Sequence, residues 1–218
     1  MLLRAPRRDP SALLLATQLA GLLLYPFMEG RFVGRALLNV FGVIVLWLVV
    51  ATVDRSPAVT WVGVLLGVPA TVLLLIQAAA DTDALAAYSS ALEAILYFYA
   101  AGALIAYMLG DHRITRDELF AVGATFTLVA WGFAHVYTVC QAIYPASFTA
   151  AANPEAPRSW LELLFVSLTT LTSVGLSDVT PVRSLARSLV MIEELGGVAY
   201  VAMLVSRVVG LTVRTDTR

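Results

Sequence analysis

The sequence predicts an all-α integral membrane protein with six membrane-spanning helices and one shorter helix that enters the membrane and turns back. Of its 218 residues, 60% are hydrophobic and only 13% are charged, and the mean hydropathy is +0.84. Soluble domains carry about 25% charged residues, so this composition excludes an ordinary soluble fold. The apolar residues also cluster into segments of about 20, the length that crosses a bilayer, separated by short charged breaks.

These apolar segments define the predicted helices in chain order. The spanning helices are expected at residues 11–28, 33–53, 58–80, 88–109, 118–141 and 182–210. The apolar segment 160–172 is too short to cross a bilayer, and such a helix is tolerated only where its end is buried in protein or lines water. We therefore expect it to be re-entrant. The preceding break, 144–159, contains three prolines and predicts an extramembrane turret.

The distribution of arginine predicts the orientation and the domain organisation. If the six spans alternate, nine of the fourteen basic residues, all arginine, lie on the side of the N-terminus. Short cytoplasmic loops carry an excess of basic residues, so both termini are expected in the cytoplasm and the re-entrant loop enters from outside. The charged stretch 111–118 separates a four-helix membrane domain, 1–110, from a second domain, 111–218.

The loop after the short helix combines three features that favour a cation. Ser159 can cap the start of this helix, and Glu162 lies in its first turn, where a carboxylate suits the positive end of the helix dipole. The negative end of the helix then points into the membrane. Small and β-branched residues follow, and the carboxylate of Asp178 ends the loop. A dipole end, a polar backbone strip and a carboxylate in series form a path for cations.

The ordered string of residues in this loop resembles a known family. Residues 169–178 read Thr-Thr-Leu-Thr-Ser-Val-Gly-Leu-Ser-Asp, and Pro181 follows shortly after. This string resembles the selectivity filter of potassium channels, whose pattern is Thr-x-x-Thr-Thr-Val-Gly-Tyr-Gly-Asp. The resemblance implies a pore-loop cation channel in which four identical chains surround one axis and conduct a monovalent cation, with potassium favoured.

The resemblance also implies a role for each residue of the loop. The implied filter residues are Thr172, Ser173, Val174, Gly175, Leu176 and Ser177. Potassium would be coordinated by the backbone carbonyls of Thr172, Ser173, Val174, Gly175 and Leu176. Asp178 would lie at the outer mouth, and Thr169 and Thr170 would support the filter from the short helix, here called the pore helix.

Two departures from the family pattern affect the outer half of the filter. Leu176 replaces an aromatic residue that bonds to the pore helix, and leucine can only pack. Ser177 replaces a glycine with positive φ, and a residue with a side chain there would cost about 1–2 kcal/mol per chain. Ser173 replaces threonine but keeps the hydroxyl. We therefore expect an intact inner half and an altered outer half.

The resemblance extends through the last helix, where two pairs of residues stand out. Gly196 and Gly197 lie where related inner helices place a gating hinge, although small residues also allow close packing against a neighbouring helix. Both interpretations remain open. Glu193 and Glu194 are adjacent and cannot face the same way. We expect one of them to bond hydroxyls behind the pore helix, with Glu193 as a support that is either structural or proton-sensitive.

Several functional classes lack their characteristic sequence features. The fourth helix has no arginine between residues 88 and 110, which excludes a conventional voltage sensor. No nucleophile–base motif, phosphate loop or metal-spaced Cys/His cluster is present, so neither an enzyme nor a cofactor is expected. The net charge of −1 argues against a nucleic-acid partner. The expected partners are other copies of the chain and the lipids of a bacterial cell membrane.

Two alternatives to a potassium channel remain at this point. The departures at Leu176 and Ser177 allow a weakly selective or sodium-permeable channel. A non-conducting membrane subunit that assembles with a true channel and regulates it would share the same segments.

Overall fold

The computed structural model describes residues 10–28, 32–53, 60–80, 84–110 and 115–216. A helix lies at each of the six long apolar segments: α1 Pro10–Met28, α2 Phe32–Val53, α3 Thr60–Ala80, α4 Ala86–Leu109, α5 Arg116–Ile143 and α7 Ser184–Asp216. The short predicted helix is α6, Trp160–Leu171. The helix bounds agree with the sequence-based prediction to within a few residues, except that α7 continues beyond residue 210.

Five of the helices in the described part of the chain are long and apolar enough to cross a membrane, namely α1, α3, α4, α5 and α7. In α2 the apolar segment Phe41–Ala51 is shorter than a membrane span. The all-α membrane fold is therefore confirmed, and the sixth span stays a prediction.

The chain forms two compact units, residues 1–129 and 130–218. In the first unit, α2 packs on α3 through small residues: a Cβ added to Gly67 would lie 3.3 Å from a methyl group of Val50. The start of α1 is tied to the first turn of α5, because the Ser11 hydroxyl lies 3.0 Å from a carboxylate oxygen of Asp117. The predicted domain boundary at residue 110 precedes α5 and stays a prediction.

The second unit contains the short helix, the loop after it and a common apolar core. This core consists of Tyr137, Cys140, Phe148, Ala150, Leu163, Val166, Val179 and Ala186, all of them buried. Its members come from α5, the turret segment 144–159, α6, the residues after the loop and α7. Because one core joins all of these elements, the position of the loop depends on packing throughout this unit.

A two-stranded antiparallel sheet within the second unit was not expected from the sequence. Strand β1, Phe148–Ala150, pairs with strand β2, Val179–Pro181, in the register Phe148↔Pro181 and Ala150↔Val179. The Val182 N–H extends the pairing by donating to the Ser147 carbonyl at 2.9 Å. The sheet attaches the turret segment to the residues that directly follow Asp178. Three-residue strands are too short to leave an alternating pattern that sequence reasoning detects.

Arg158 holds the turret segment together from inside. Its side chain is only 3% exposed and forms an ion pair with Glu162 at 3.2 Å. Its guanidinium donates to the backbone carbonyls of Ala152, Asn153 and Ala156. The Gln141 side chain bonds both backbone groups of Arg158, at 2.8 Å to its carbonyl and 3.0 Å to its N–H. The planar guanidinium therefore satisfies a set of loop carbonyls that have no regular secondary structure.

We expect Arg158→Ala to lower the free energy of unfolding by about 2 kcal/mol, because it removes the buried guanidinium that donates to three backbone carbonyls of the turret segment and pairs with Glu162. Arg183→Ala is the matched control, since Arg183 is exposed and, among the described residues, its side chain donates to a single carbonyl, that of Pro145. The control should change stability by less than about 0.5 kcal/mol. Thermal unfolding of both variants in detergent measures the difference, and equal melting temperatures would contradict the assigned role.

Candidate functional site

Helix α6 begins with the capping arrangement that the sequence predicts. The Ser159 hydroxyl accepts the backbone N–H of Glu162 at 3.3 Å, and the Glu162 carboxylate accepts the N–H of Ser159 at 2.6 Å. This reciprocal pair satisfies two backbone donors that the helix cannot bond and places negative charge at its positive end. The start of α6 is therefore fixed, and its carbonyl end leads directly into the loop.

The loop turns its N–H groups back onto the end of α6. The N–H groups of Val174 and Gly175 both donate to the Thr169 carbonyl, at 2.9 and 3.0 Å. The N–H of Ser173 donates to the Thr170 carbonyl at 2.8 Å. Ser173 and Gly175 have positive φ angles of 57° and 65°, and Val174 between them does not. Alternation of this kind lets successive N–H groups converge on one side of the backbone.

The carbonyl oxygens of Thr172, Ser173 and Val174 have no partner within the described part of the chain. These residues are exposed, and Val174 has 67% of its surface exposed. The strip follows the C-terminal end of a helix, where partial negative charge accumulates. Its chemistry therefore suits a cation and disfavours an anion.

The outer half of the loop is bonded differently. The Gly175 carbonyl accepts the Ser177 N–H at 3.1 Å, and the Ser177 hydroxyl accepts the Val179 N–H at 3.1 Å. Ser177 does not have a positive φ. The cost that we expected at residue 177 is therefore not incurred, because its two hydrogen bonds hold the backbone in another conformation. Within the loop 172–178, the non-glycine residue in the left-handed region is Ser173.

The remaining predicted residues of the outer half lie on the surface of the single chain. Leu176 is 72% exposed, and no hydrogen bond in the described chain ends on its carbonyl. Asp178 is exposed directly before β2. The structure thus brings the inner carbonyls, the Leu176 side chain and the Asp178 carboxylate into one exposed strip.

The threonines at the end of α6 contact the loop mainly through their backbone. The Thr169 and Thr170 carbonyls accept the N–H groups described above, whereas the Thr169 hydroxyl donates to the Val166 carbonyl at 3.0 Å. The Thr172 hydroxyl lies 2.7 Å from the Leu168 carbonyl oxygen. The sequence identifies these residues as neighbours of the loop but does not identify which of their atoms bond to it.

Glu193 lies behind α6, and Glu194 does not. The Glu193 carboxyl is 0% exposed and contacts the hydroxyl of Tyr137 with one oxygen and the hydroxyl of Ser167 with the other. Glu194, the next residue along α7, is exposed. The prediction that one of the pair bonds a hydroxyl behind the short helix is confirmed. The contribution of Tyr137 was missed, because nothing in the sequence of α5 distinguishes it from other apolar aromatic residues.

Gly197 allows α7 to approach the end of α6. A Cβ added to Gly197 would lie 2.1 Å from the Leu171 carbonyl oxygen, much closer than any real contact. A Cβ added to Gly196 would meet nothing within 4 Å. Of the two interpretations left open by the sequence, the structure therefore supports close packing at Gly197. Gly197 lies one helical turn after Glu193, so both contacts use the same face of α7.

Residues 94–214, more than half of the chain, match the family model described as Ion channel. The chain belongs to the ion-channel family. The matched region includes α5, the capped helix α6, the loop 172–178 and most of α7. Family membership confirms the predicted pore-loop channel superfamily and the all-α membrane fold, and it supports passive ion conduction rather than enzymatic activity.

The channel is also similar to two bacterial proteins with the same name. It is 34% identical to Protein LctB of Bacillus caldotenax over 102 residues, which are 45% of this chain and 75% of that protein. It is 36% identical to Protein LctB of Geobacillus stearothermophilus over 101 residues, again 45% of this chain and 75% of that protein. No solved structure matches the channel.

We expect Gly197→Ala to displace α7 from the pore helix, because the new methyl group would overlap the Leu171 carbonyl. Overpacking of this kind costs about 1–3 kcal/mol, and ion flux should fall with it. Gly196→Ala is the matched control and should stabilise α7 by about 0.5–1 kcal/mol, since alanine is the better helix former.

The comparison needs thermal unfolding and ion flux from liposomes for both variants. A flexible hinge would make both glycines important for flux, with little change in melting temperature. That pattern, or equal tolerance of both substitutions, would contradict the packing role of Gly197.

Proposed function

We propose that the protein is a passive cation channel with potassium as the favoured ion, and that ions cross a filter formed by residues 172–177. The observation that carries the proposal is the exposed strip of carbonyls at Thr172, Ser173 and Val174, which accept no hydrogen bond in the described chain. In pore-loop channels, carbonyl oxygens of this kind replace the water shell of a permeating ion. The family to which the chain belongs has the same general activity.

Electrostatics along the loop supports a cation as the permeant species. The carbonyl end of α6 carries the partial negative charge of the helix dipole. The carboxylate of Asp178 is exposed at the opposite end of the strip. Both charges attract cations, and they bracket the proposed filter. Asp178 therefore raises the local cation concentration at the outer mouth.

A homotetramer with both termini in the cytoplasm of a bacterial cell is the arrangement we propose for this filter. One loop supplies only one wall of a pore, and four loops complete a ring of carbonyls. The surface of α7 supports assembly: only 11% of its span Ser184–Arg207 is buried within the chain. Glu194 is exposed midway along that span. Charged residues in membrane spans almost always face a bundle interior or water, so this helix is expected to line an assembly rather than face lipid.

A weakly selective or sodium-permeable channel is the second candidate, and the outer half of the loop favours it. The Gly175 carbonyl is occupied by the Ser177 N–H, which removes one potential ion ligand in the single chain. Leu176 has no polar atom in its side chain with which to brace the strip. A softer outer half reduces the discrimination between two monovalent cations.

A non-conducting regulatory subunit is the third candidate. It would retain the membrane helices and the loop without passing ions by itself. The complete inner half of the strip argues for conduction, since its N–H groups are already bonded away from the carbonyls.

We expect purified protein in liposomes to conduct, and bi-ionic reversal potentials to give a potassium permeability at least about tenfold above that of sodium, equivalent to about 1.4 kcal/mol. Ser177→Gly should raise this ratio, because glycine restores the conformational freedom of the family pattern at that position. Native mass spectrometry of the same preparation should give four copies.

Each candidate gives a different result in this experiment. Equal permeability to the two ions would establish the weakly selective channel instead. Stable tetramers without flux would support the regulatory subunit. A copy number other than four would contradict the proposed ring of four loops.

Asp178→Asn should reduce the single-channel cation current about two-fold at low ionic strength and much less at high ionic strength, because salt screens an exposed charge. Glu155→Gln is the control: Glu155 is also exposed, but it belongs to the turret segment and not to the loop itself. Single-channel recordings at two salt concentrations measure both. An equal reduction of the current in the two variants would show that general surface charge, and not the position of Asp178 at the mouth, determines the effect.

A further inference from the structure

Three polar contacts connect α5, α6 and α7 behind the loop. The two oxygens of the Glu193 carboxyl contact the hydroxyls of Tyr137 and Ser167. The Ser167 hydroxyl also lies 2.8 Å from the carbonyl oxygen of Ala130. Glu193, Tyr137 and Ser167 are each 0% exposed within the chain. The four groups therefore form a short chain of contacts that is shielded from solvent.

Counting protons determines which group donates in each contact. A serine hydroxyl has one proton, and a backbone carbonyl can only accept. The proton of Ser167 is therefore used by the contact with the Ala130 carbonyl. The contact between Ser167 and Glu193 then needs a proton from the carboxyl group, and the remaining contact is donated by Tyr137. Three hydrogen bonds need three protons, and the hydroxyls of Ser167 and Tyr137 supply only two, so the third must come from a protonated Glu193.

We infer that Glu193 is a neutral carboxylic acid that donates to Ser167, accepts from Tyr137 and thereby positions the pore helix. The surroundings agree with this assignment. No basic side chain contacts Glu193 in the described part of the chain. An unpaired charge inside a membrane protein is costly, whereas a neutral acid with both oxygens bonded is fully satisfied.

Glu193 acts on the proposed filter through the pore helix, and this part of the inference rests on the proposed function. Ser167 lies two residues before Thr169, whose carbonyl accepts the N–H groups of Val174 and Gly175. A shift of the pore helix would move that carbonyl and with it the strip that it orients. Glu193 does not contact the strip, and it is therefore a positioning residue and not an ion ligand.

The protonation state of Glu193 is tested by infrared difference spectroscopy on the protein reconstituted in lipid. The spectrum of Glu193→Gln subtracted from that of the native protein should contain the carbonyl stretch of a protonated carboxylic acid, shifted in heavy water. Glu194→Gln is the matched control on the neighbouring, exposed position. Its difference spectrum should lack that band. A carboxylate band in the Glu193→Gln difference spectrum, with no band from the acid, would overturn the inference.

The positioning role is tested by comparing two substitutions of the same residue. Glutamine reproduces the hydrogen bonds of a neutral acid, because its amide can donate to Ser167 while its oxygen accepts from Tyr137. Glu193→Ala leaves both hydroxyls without this partner and should reduce flux at least about tenfold and lower the melting temperature. Glu193→Gln should keep most of the ion flux and most of the thermal stability of the native protein. An equal loss of flux and of melting temperature in Glu193→Ala and Glu193→Gln would overturn the role of Glu193 as a neutral donor.

The two readouts separate the failure of this inference from the failure of the proposed function. If the native protein passes no ions, the infrared band and the melting temperatures of the two variants still decide the protonation state and the structural link. If the protein conducts but the band of the protonated acid is absent, the proposed channel function is supported and the neutral state of Glu193 is refuted.

Discussion

The backbone of the loop depends on one constraint: a polar chain inside a membrane must satisfy its N–H groups within the protein. Here the end of the pore helix provides the acceptors. The Thr169 carbonyl receives two N–H groups from the loop, and the Thr170 carbonyl receives a third. Because these donors are turned toward the helix, the carbonyls of Thr172, Ser173 and Val174 remain without a partner in the described chain. Bonding of the loop N–H groups to the helix therefore leaves a surface of carbonyl oxygens that can coordinate a ligand.

This arrangement requires a helix end that stays in place, and the chain secures it from several directions. The capping pair Ser159 and Glu162 fixes the start of the pore helix. Behind it, Glu193 bonds the middle of the helix, and Gly197 lets α7 contact the carbonyl at its end. On the far side of the loop, β2 pairs with the turret segment. The contacts are made by elements distant in sequence, which gives the second unit a single core.

The parts that sequence reasoning found are those governed by local rules. The apolar segments, the capping pair and the order of residues in the loop each leave a pattern within a few neighbouring positions. The parts that it missed depend on contacts between distant residues. The strands β1 and β2 are too short to be recognised, and Arg158 gives no sign that its guanidinium is buried among turret carbonyls. The conformation of Ser177 differs from the family pattern because of its own hydrogen bonds, and the packing role of Gly197 appears only once Leu171 is beside it.

The positive φ of Ser173 links the stability of the loop to its occupancy. For a residue with a side chain this conformation costs about 1–2 kcal/mol, and in the proposed ring the cost would be repeated in every copy. A bound cation that is coordinated by the strained form, and not by a relaxed one, stabilises it by mass action. If the strip binds cations as proposed, the order of its innermost part at low ion concentration would therefore be determined by ion affinity as much as by folding.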